Sequence, residues 1–385
     1  MKKMIIHRIS IILITALVFL AMTAGGAAAL DLSGSGVDSA ILVEAETGEV
    51  LYEKQADKEH SPASLTKLMT VLLAMEDIED GSLELDDMIT VSEYASSMGG
   101  SQIYLGEGDL LKVRELLKAI MVASANDASV ALAEAIAGDV DLFIERMNQR
   151  AEELGMENTN FTTVHGLPHE DQYTTASDLV RLSRELLQYP QVLEWSQIWT
   201  ETLQLPEREA MLVNTNKLIL SYPELDGLKT GFTRSSGYNL AATARQGDMR
   251  LISIVLGADT EYFRREITTD LLDYGFDNYE LKEIFAGGDQ IEGIEIEEGH
   301  PREISARLSG SLYVPVNISG DEETDYRLDL KEEIAFPLQP GEKIGELHSF
   351  AGDEKMHSRD LLAEKEVVQA GIFRRFLYTI SDWLR

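Results

Sequence analysis

The sequence contains no cysteine, so the chain can form neither a disulfide framework nor a thiolate metal site. Basic residues are also scarce, because 33 Lys and Arg stand against 67 Asp and Glu and give a formal net charge of −34. So acidic a protein would be repelled by nucleic acid phosphates. This composition excludes nucleic acid binding.

The N-terminus carries a largely apolar run. Lys2, Lys3 and Arg8 precede the run over 9–22, and the small residues 27–29 follow it. This order predicts a signal peptide over 1–29 and an exported protein. Because the run is short for a membrane-spanning helix, an uncleaved signal anchor is the weaker alternative.

The order of helix and strand patterns predicts the class of the first domain, 30–280. Two strands over 37–44 and 49–54 form a hairpin, helical patterns follow, and short strands return from 209 to 257. Strands at both ends of the domain with helices between them predict an α+β fold. In that fold the first hairpin and all the late strands share one antiparallel sheet.

The remainder of the chain has a different pattern of polar and apolar residues. Residues 281–365 alternate polar and apolar positions between Gly and Pro, which predicts a small all-β domain. In the terminal segment 366–385, Gly371 to Arg385 would form a helix with its aromatic residues on one face and its arginines on the other. Such a helix is typical of a membrane surface. The alternative is a helix docked on the β domain.

The stretch from Ser64 to Met75 is almost entirely apolar or hydroxylic, and it predicts a buried helix with Ser61 as N-cap and Pro62 in the first turn. Its single charge is Lys67. Burial lowers the pKa of a lysine toward the range in which the free amine can accept a proton. Ser64 precedes it by three residues on the same helical face. A hydroxyl beside a buried amine suits covalent catalysis.

Two further motifs follow in the chain, Ser124-Ala125-Asn126 and Lys229-Thr230-Gly231. Together with Ser64-x-x-Lys67 they form, in this order, the signature of serine penicillin-recognising enzymes. A wider set of matches resembles the low-molecular-weight D-alanyl-D-alanine carboxypeptidases over nearly the whole mature chain. It comprises Pro62 to Lys67, Ser124 to Asp127, His165 to Leu167, Asn214 to Lys217, Leu228 to Thr233 and Gly237 to Leu240.

This resemblance implies a penicillin-binding/β-lactamase-like domain and a role for each catalytic residue. Ser64 would attack the carbonyl between the last two D-alanines of a peptidoglycan pentapeptide stem. Lys67 would be the base, and Lys229 would be the cation that helps to keep it neutral. Ser124 would relay a proton to the leaving amine, and Asn126 would orient Lys67 and the substrate. β-Lactams would acylate Ser64 as covalent inhibitors.

The resemblance also implies a substrate-binding strand around Gly231. Backbone N–H groups of Ser64 and Phe232 would form the oxyanion hole. Thr230 and Thr233 would bind the terminal carboxylate together with Arg264. Phe232 stands where many relatives carry histidine, and Ala125 is a second departure; we expect altered substrate preference or pH response. His165 is expected to be structural, its lone neighbour His169 implies no metal site, and no cofactor is expected.

Two other functions share part of this pattern. A β-lactamase would need a glutamate-held water, and Glu157 and Glu170 lie in the right region of the chain, although their surroundings differ from that class. A non-catalytic cell-wall binding protein is the third possibility. The β domain and the terminal helix favour a cell-wall enzyme on the outer face of the cytoplasmic membrane.

Overall fold

The computed structural model describes residues 30–376 and 378, apart from 33, 206–207, 321–323, 332 and 352–353. The expected signal peptide and most of the expected terminal helix lie outside the described residues. Within the part described, no helix is both long and apolar enough to cross a membrane.

A five-stranded antiparallel sheet organises the first domain. Its strands are β1 (Ser39–Glu44), β2 (Val50–Lys54), β7 (Leu225–Thr233), β8 (Gly237–Gln246) and β9 (Met249–Ala258). Their order is β2-β1-β9-β8-β7, which makes β7 an edge strand. The prediction that the first hairpin shares a sheet with late strands is therefore confirmed for β7, β8 and β9.

Helices cover both faces of this sheet, because successive side chains of its strands point alternately into two apolar cores. Ile41 and Val43 belong to the larger core, whereas Ala40 and Leu42 belong to the smaller one. The helices are α1 (Lys67–Glu79), α2 (Glu93–Ser96), α3 (Val113–Ala123), α4 (Asn126–Ala137), α5 (Val140–Glu153), α6 (Ala176–Leu186), α7 (Pro190–Ser196) and α8 (Glu261–Asn278). Helix α8 packs on the smaller core and the others on the larger.

The predicted start of the buried helix is wrong. A 3₁₀ turn, Ala63–Thr66, leads directly into α1, and no side chain caps it. The main chain before it is tied to the sheet instead, because Nδ2 of Asn239 donates to the carbonyl oxygens of Ser61 and Pro62. Ser61 is thereby held by β8 and does not cap the helix.

The expected strand after residue 209 does not join the central sheet, which corrects the sequence prediction. Strands β5 (Thr200–Gln204) and β6 (Glu209–Val213) form a separate hairpin. Buried and exposed residues alternate along β6, and its buried residues Ala210 and Leu212 pack into the helical core. A second small ribbon joins β3 (Met88–Thr90) and β4 (Leu110–Lys112).

The second domain is all-β, as predicted. It contains β10 (Tyr279–Phe285), β11 (Gln290–Glu295), β12 (Gly299–His300), β13 (Glu303–Leu308), β14 (Leu312–Asn317), β15 (Thr324–Leu330), β16 (Lys343–Ala351), β17 (Glu354–Ala363) and β18 (Val368–Gln369). The main sheet has the order β11-β13-β17-β16-β15 around its own apolar core. Strand β10 pairs with β14 and follows α8 without a linker.

The predicted helix does not extend over the whole segment 366–385, because Val368–Gln369 form strand β18 of the β domain and the helix begins at residue 372. Residues 372–376 are helical, and Nη1 of Arg375 donates to Oε1 of Glu298 at 2.6 Å. Ile372 is 84% exposed, and Phe373 and Phe376 are also exposed. In the described part of this helix, Arg375 and Tyr378 contact the β domain, the latter through His300 and Arg302, whereas Ile372, Phe373 and Phe376 are exposed.

Candidate active site

Lys67 is the centre of the site, at the first position of α1 and completely buried. Its Nζ lies 2.7 Å from Oδ1 of Asn126, 2.5 Å from the carbonyl oxygen of His165 and 3.2 Å from Oγ of Ser64. The three-residue spacing across the 3₁₀ turn brings the amine to the Ser64 hydroxyl. The structure thus joins the predicted nucleophile and base in one hydrogen-bonded group.

Burial lowers the pKa of Lys67 well below its usual value, and the positive charge of Lys229 lowers it further. The carboxylate of Asp127 acts in the opposite direction and does not reverse the shift. A neutral amine has two hydrogens and one lone pair. When the two carbonyl-type oxygens accept both hydrogens, the lone pair is left for the hydroxyl hydrogen of Ser64.

Asn126 begins α4 and is fixed on both sides. Its Nδ2 donates to the carbonyl oxygen of Gly99 at 2.7 Å, so its Oδ1 must face Lys67. The next residue, Asp127, is buried and accepts hydrogen bonds from the main-chain N–H groups of Ile103 and Leu105. The segment 99–105 is therefore attached to the same helix end that orients the lysine.

Ser124 lies in the break between α3 and α4, buried and in a left-handed conformation with φ of 61°. The residues two positions before and after it contact the surroundings of the site. The carbonyl oxygen of Val122 accepts from the N–H of Thr215, and Asn126 contacts Lys67. The predicted role of the Ser124 hydroxyl as a proton relay stays a prediction.

Strand β7 runs close to the nucleophile because Gly231 has no side chain. A Cβ atom at this position would lie 2.9 Å from the carbonyl oxygen of Pro62 and 3.2 Å from the nitrogen of Ser64. One residue earlier, the Thr230 hydroxyl donates to Oγ1 of Thr215 at 2.6 Å. Any side chain larger than hydrogen at Gly231 would push the strand and the nucleophile apart.

Two basic side chains are buried at this strand, Lys229 of β7 itself and Arg264 of α8. Burial and the charge of Arg264 lower the pKa of Lys229 to about 7. Burial also lowers the pKa of Arg264 to about 10, and its closest recorded carboxylate contact is a loose one, Nη2 to Oε1 of Glu261 at 3.9 Å. Its guanidinium lies 5.9 Å from the ring centre of Tyr238. Because only this loose carboxylate contact neutralises the two positive charges, they are suited to bind an anion.

Thr233 is the last residue of β7. Its hydroxyl forms hydrogen bonds with the Ser235 and Ser236 hydroxyls in the turn to β8. Its role in binding the terminal carboxylate stays a prediction. Phe232 is 51% exposed, and its ring packs on Tyr238 with centroids 4.3 Å apart. It gives the rim of the site an apolar surface.

Two residues of the matched motifs, His165 and Asn239, support this geometry. The sequence alone does not reveal their roles. His165 contributes its main-chain oxygen to Lys67, while burial and the Lys67 charge lower the pKa of its ring to about 4. Asn239 binds the chain before Ser64. The side chain of Asn239 lies within a matched motif, whereas the contact of His165 is made by a main-chain atom that no residue type marks.

The two glutamates considered for a β-lactamase are both solvent exposed. Glu170 lines a cavity of about 510 Å³ with His60, His169 and Tyr173, and no recorded hydrogen bond joins it to Lys67 or Ser64. Neither glutamate is held as a water-binding base beside the nucleophile. The geometry therefore favours a peptidase.

Comparison with known proteins agrees with this geometry. A model of the D-alanyl-D-alanine carboxypeptidase family matches residues 31–260, and a model of the penicillin-binding protein 5 C-terminal domain matches residues 279–369. The D-alanyl-D-alanine carboxypeptidase DacF of Bacillus subtilis is 36% identical, with 90% of each chain covered. DacC of Escherichia coli is 33% identical, with 87% of this chain and 85% of that protein covered.

Solved structures show the same architecture. Penicillin-binding protein 5 from Haemophilus influenzae has a TM-score of 0.76 at 29% identity and covers 87% of this chain and 98% of its own. Penicillin-binding protein 3 from Streptococcus pneumoniae has a TM-score of 0.73 at 28% identity, with 86% and 99% covered. The chain therefore belongs to the D-alanyl-D-alanine carboxypeptidase family and is a serine peptidase with the penicillin-binding protein fold.

Proposed function

We propose that this serine-type D-Ala-D-Ala carboxypeptidase uses Ser64 as its nucleophile and Lys67 as its base. One observation carries the proposal: the buried Lys67 amine has two oxygen acceptors and the Ser64 hydroxyl as its polar contacts. An amine with a lowered pKa in this arrangement can take the hydroxyl proton without first losing one to water.

The acylation step follows from these contacts. The Ser64 proton moves to Nζ of Lys67 while Oγ bonds to the carbonyl carbon of the penultimate D-alanine. The tetrahedral intermediate then collapses and its C–N bond breaks. A proton relayed from Lys67 through Ser124 leaves with the amine of the terminal D-alanine. Water then attacks the acyl carbon while Lys67 takes one of its protons; the bond between that carbon and Oγ breaks, and the proton passes to Oγ, which regenerates Ser64 and releases the shortened peptide.

The N–H groups of Ser64 and Phe232 are proposed as the oxyanion hole. The support is the close approach of β7 to the nucleophile at Gly231, which brings the main chain of the two segments into contact. Removal of one such donor in other enzymes costs about 3–4 kcal/mol of transition-state stabilisation. In this chain both donors are main-chain groups, so their position depends on packing.

The terminal carboxylate of the substrate is proposed to bind near Arg264, Lys229 and the Thr230 hydroxyl. Arg264 supplies a buried guanidinium with only a loose acidic contact, and Lys229 shares its field. A bound carboxylate would raise the pKa of Lys229 above about 7 and keep it charged during the reaction. Thr233, at the end of the strand, is proposed to bind the same carboxylate.

For location, we propose an exported protein with a signal peptide over 1–29 and a membrane-surface helix in the segment 366–385 that begins at residue 372, after strand β18. The catalytic domain 30–280 and the β domain 281–365 would lie outside the cytoplasmic membrane. The exposed side chains of Ile372, Phe373 and Phe376 support the surface helix. Deletion of 371–385, which keeps strand β18 in the β domain, should release the protein from anionic lipid vesicles in a flotation assay. Continued flotation would contradict this part of the proposal.

The catalytic proposal is tested by Ser64→Ala with Ser61→Ala as matched control. Both are serines before α1, but only Ser64 contacts Lys67. We expect Ser64→Ala to lose covalent labelling by a fluorescent penicillin and D-alanine release from diacetyl-Lys-D-Ala-D-Ala. The control should retain both. Labelling of Ser64→Ala would exclude Ser64 as the nucleophile, and rapid turnover of the antibiotic by the wild type would favour a β-lactamase.

A further inference from the structure

The junction between the two domains contains a cavity with an excess of basic side chains. Its volume is about 350 Å³, and it lies between the turn joining β1 to β2, helix α6 and strand β17. The lining residues are Glu46, Thr47, Arg184, Lys355, Met356, His357, Ser358 and Arg359. Two arginines and one lysine face a single carboxylate, in a chain that has 67 acidic and 33 basic residues. The local charge balance is the reverse of that of the whole protein.

His357 contributes a buried donor to this junction. The residue is 7% exposed, and its Nδ1 accepts a hydrogen bond from the N–H of Tyr313 at 3.1 Å. The neutral ring must therefore carry its hydrogen on Nε2. That atom is buried and has no hydrogen-bond partner among the described residues. A buried donor without an acceptor is costly, so a ligand that accepts from it would be favoured.

Arg184 adds a second set of donors. Its Nε and Nη2 donate to the main-chain oxygens of Ala45 and Glu46 at 2.9 and 3.0 Å. Within the described part of the chain, no carboxylate lies at ion-pair distance from this guanidinium. The remaining nitrogen, Nη1, has no recorded acceptor. Arg184 is thus held rigidly by the main chain and keeps an unneutralised charge.

The other two cations extend the same field. Arg359 binds the carboxylate of Glu46, whereas Lys355 is exposed at the cavity. Burial, with the charges of Arg359 and Arg184, lowers the pKa of His357 to about 4. At neutral pH the ring is therefore uncharged and acts as an Nε2–H donor.

We propose that this cavity binds an oxyanion of the phosphate class, held by Nη1 of Arg184, Nε2–H of His357 and the ammonium of Lys355. Donors from three separate side chains suit an anion with oxygens in several directions, and a guanidinium matches phosphate geometry well. Because Arg184 belongs to the first domain and His357 to the second, the bound anion links the two domains.

The direct test is an NMR titration of the His357 ring in the full-length mature protein. Inorganic phosphate is compared with chloride at constant ionic strength, and a His357→Gln variant assigns the signal. The bound anion should raise the pKa of His357 above about 4 and raise the melting temperature more than chloride does. A pKa and melting temperature that respond equally to both salts would overturn the proposal.

Variants separate the site from general salt effects. Arg184→Gln should weaken phosphate binding by roughly 10- to 100-fold, the usual loss of a hydrogen bond to a charged group. The matched control is Arg181→Gln, one turn earlier on α6, where the guanidinium pairs with Asp178. Lys355→Gln is a second test at an exposed position, in case Arg184→Gln unfolds the turn. Unchanged affinity in both Arg184→Gln and Lys355→Gln would contradict the assignment.

Two sources of phosphate chemistry can be distinguished with small probes. Binding of inorganic phosphate but not of dimethyl phosphate would indicate a free dianion. Binding of both would indicate a phosphodiester, such as the repeating unit of an anionic polymer. D-Alanine release by Arg184→Gln should equal that of the wild type, so this result is independent of the catalytic proposal.

Discussion

The carbonyl oxygen of His165 lies 2.5 Å from Nζ of Lys67, although the two residues are 98 positions apart. Together with Oδ1 of Asn126 at 2.7 Å, it leaves the lysine only one direction in which to exchange a proton. That direction is occupied by the Ser64 hydroxyl. The proposed role of Lys67 as the base depends on a neutral amine, and the following changes test that dependence.

Replacement of Lys67 by Met removes the base and keeps a side chain of similar length. We expect acylation by penicillin to fall by about 10²- to 10⁴-fold, the usual contribution of a positioned acid or base. The free energy of unfolding should change little, because relief of the desolvated amine is offset by the loss of its hydrogen bonds to Oδ1 of Asn126 and the oxygen of His165. Urea unfolding and labelling kinetics provide both values.

Lys118→Met is the control for the Lys67 variant. This substitution on α3 breaks a partly exposed ion pair with Glu201 of β5. Labelling at the wild-type rate is expected. Rapid acylation of Lys67→Met would show that another group activates Ser64.

Asn126→Asp tests the electrostatic part of the site. A carboxylate beside Lys67 favours the ammonium form and raises the pKa of the lysine. Each unit by which the pKa of Lys67 rises leaves about tenfold less free amine at a pH below that pKa. The rate of acylation should fall at neutral pH and recover as the pH rises, so the pH profile moves toward alkaline values. A lower rate with an unmoved profile would mean that Asn126 acts only on the substrate.

Arg264→Gln tests carboxylate recognition. We expect kcat/KM for diacetyl-Lys-D-Ala-D-Ala to fall roughly 10- to 100-fold, whereas turnover of the same peptide with an amidated C-terminus should change little. Arg265→Gln, at the next position of α8, should retain the preference for the free carboxylate. Equal losses on both peptides would indicate a role of Arg264 in packing instead.

The stability of the protein should depend on the titration of Lys229. Its pKa is about 7 in the folded protein and 10.5 in the unfolded chain, so the unfolded chain binds more protons between these values. The free energy of unfolding should therefore rise with pH across this window. Lys229→Met should flatten the rise in urea unfolding experiments. An equally steep rise in the variant would assign it to other groups, with Lys67 the first candidate.

Much of this arrangement could be predicted from the sequence because the chemistry requires particular residues at short spacings. The pair Ser64 and Lys67 depends on one helical turn, and the alternation of strands with turn residues predicts β8 and β9. The separate hairpin of β5 and β6 was not predictable from the same pattern. A strand with alternating polar and apolar residues has one buried face both in the central sheet and in a separate hairpin. Only tertiary packing decides which of the two it joins.

The supporting contacts of the site were less accessible to sequence analysis. The oxygen of His165 is a main-chain atom, which every residue type possesses, so no pattern marks it. Asn239 holds the chain before Ser64 from a distant strand. The incorrect N-cap at Ser61 has the same origin, because local propensity favoured a cap where a long-range hydrogen bond fixes the main chain.

The position of β7 at the edge of its sheet has a consequence for selectivity. An extended peptide aligned with that edge would be gripped through its amide groups, which are the same whatever side chains it carries. Selectivity among stem peptides would then depend on the rim of the site. There Phe232 presents an apolar ring where many relatives carry a titratable histidine. Substitution of Phe232 would therefore change the order of preference among stem peptides and leave the catalytic residues unchanged.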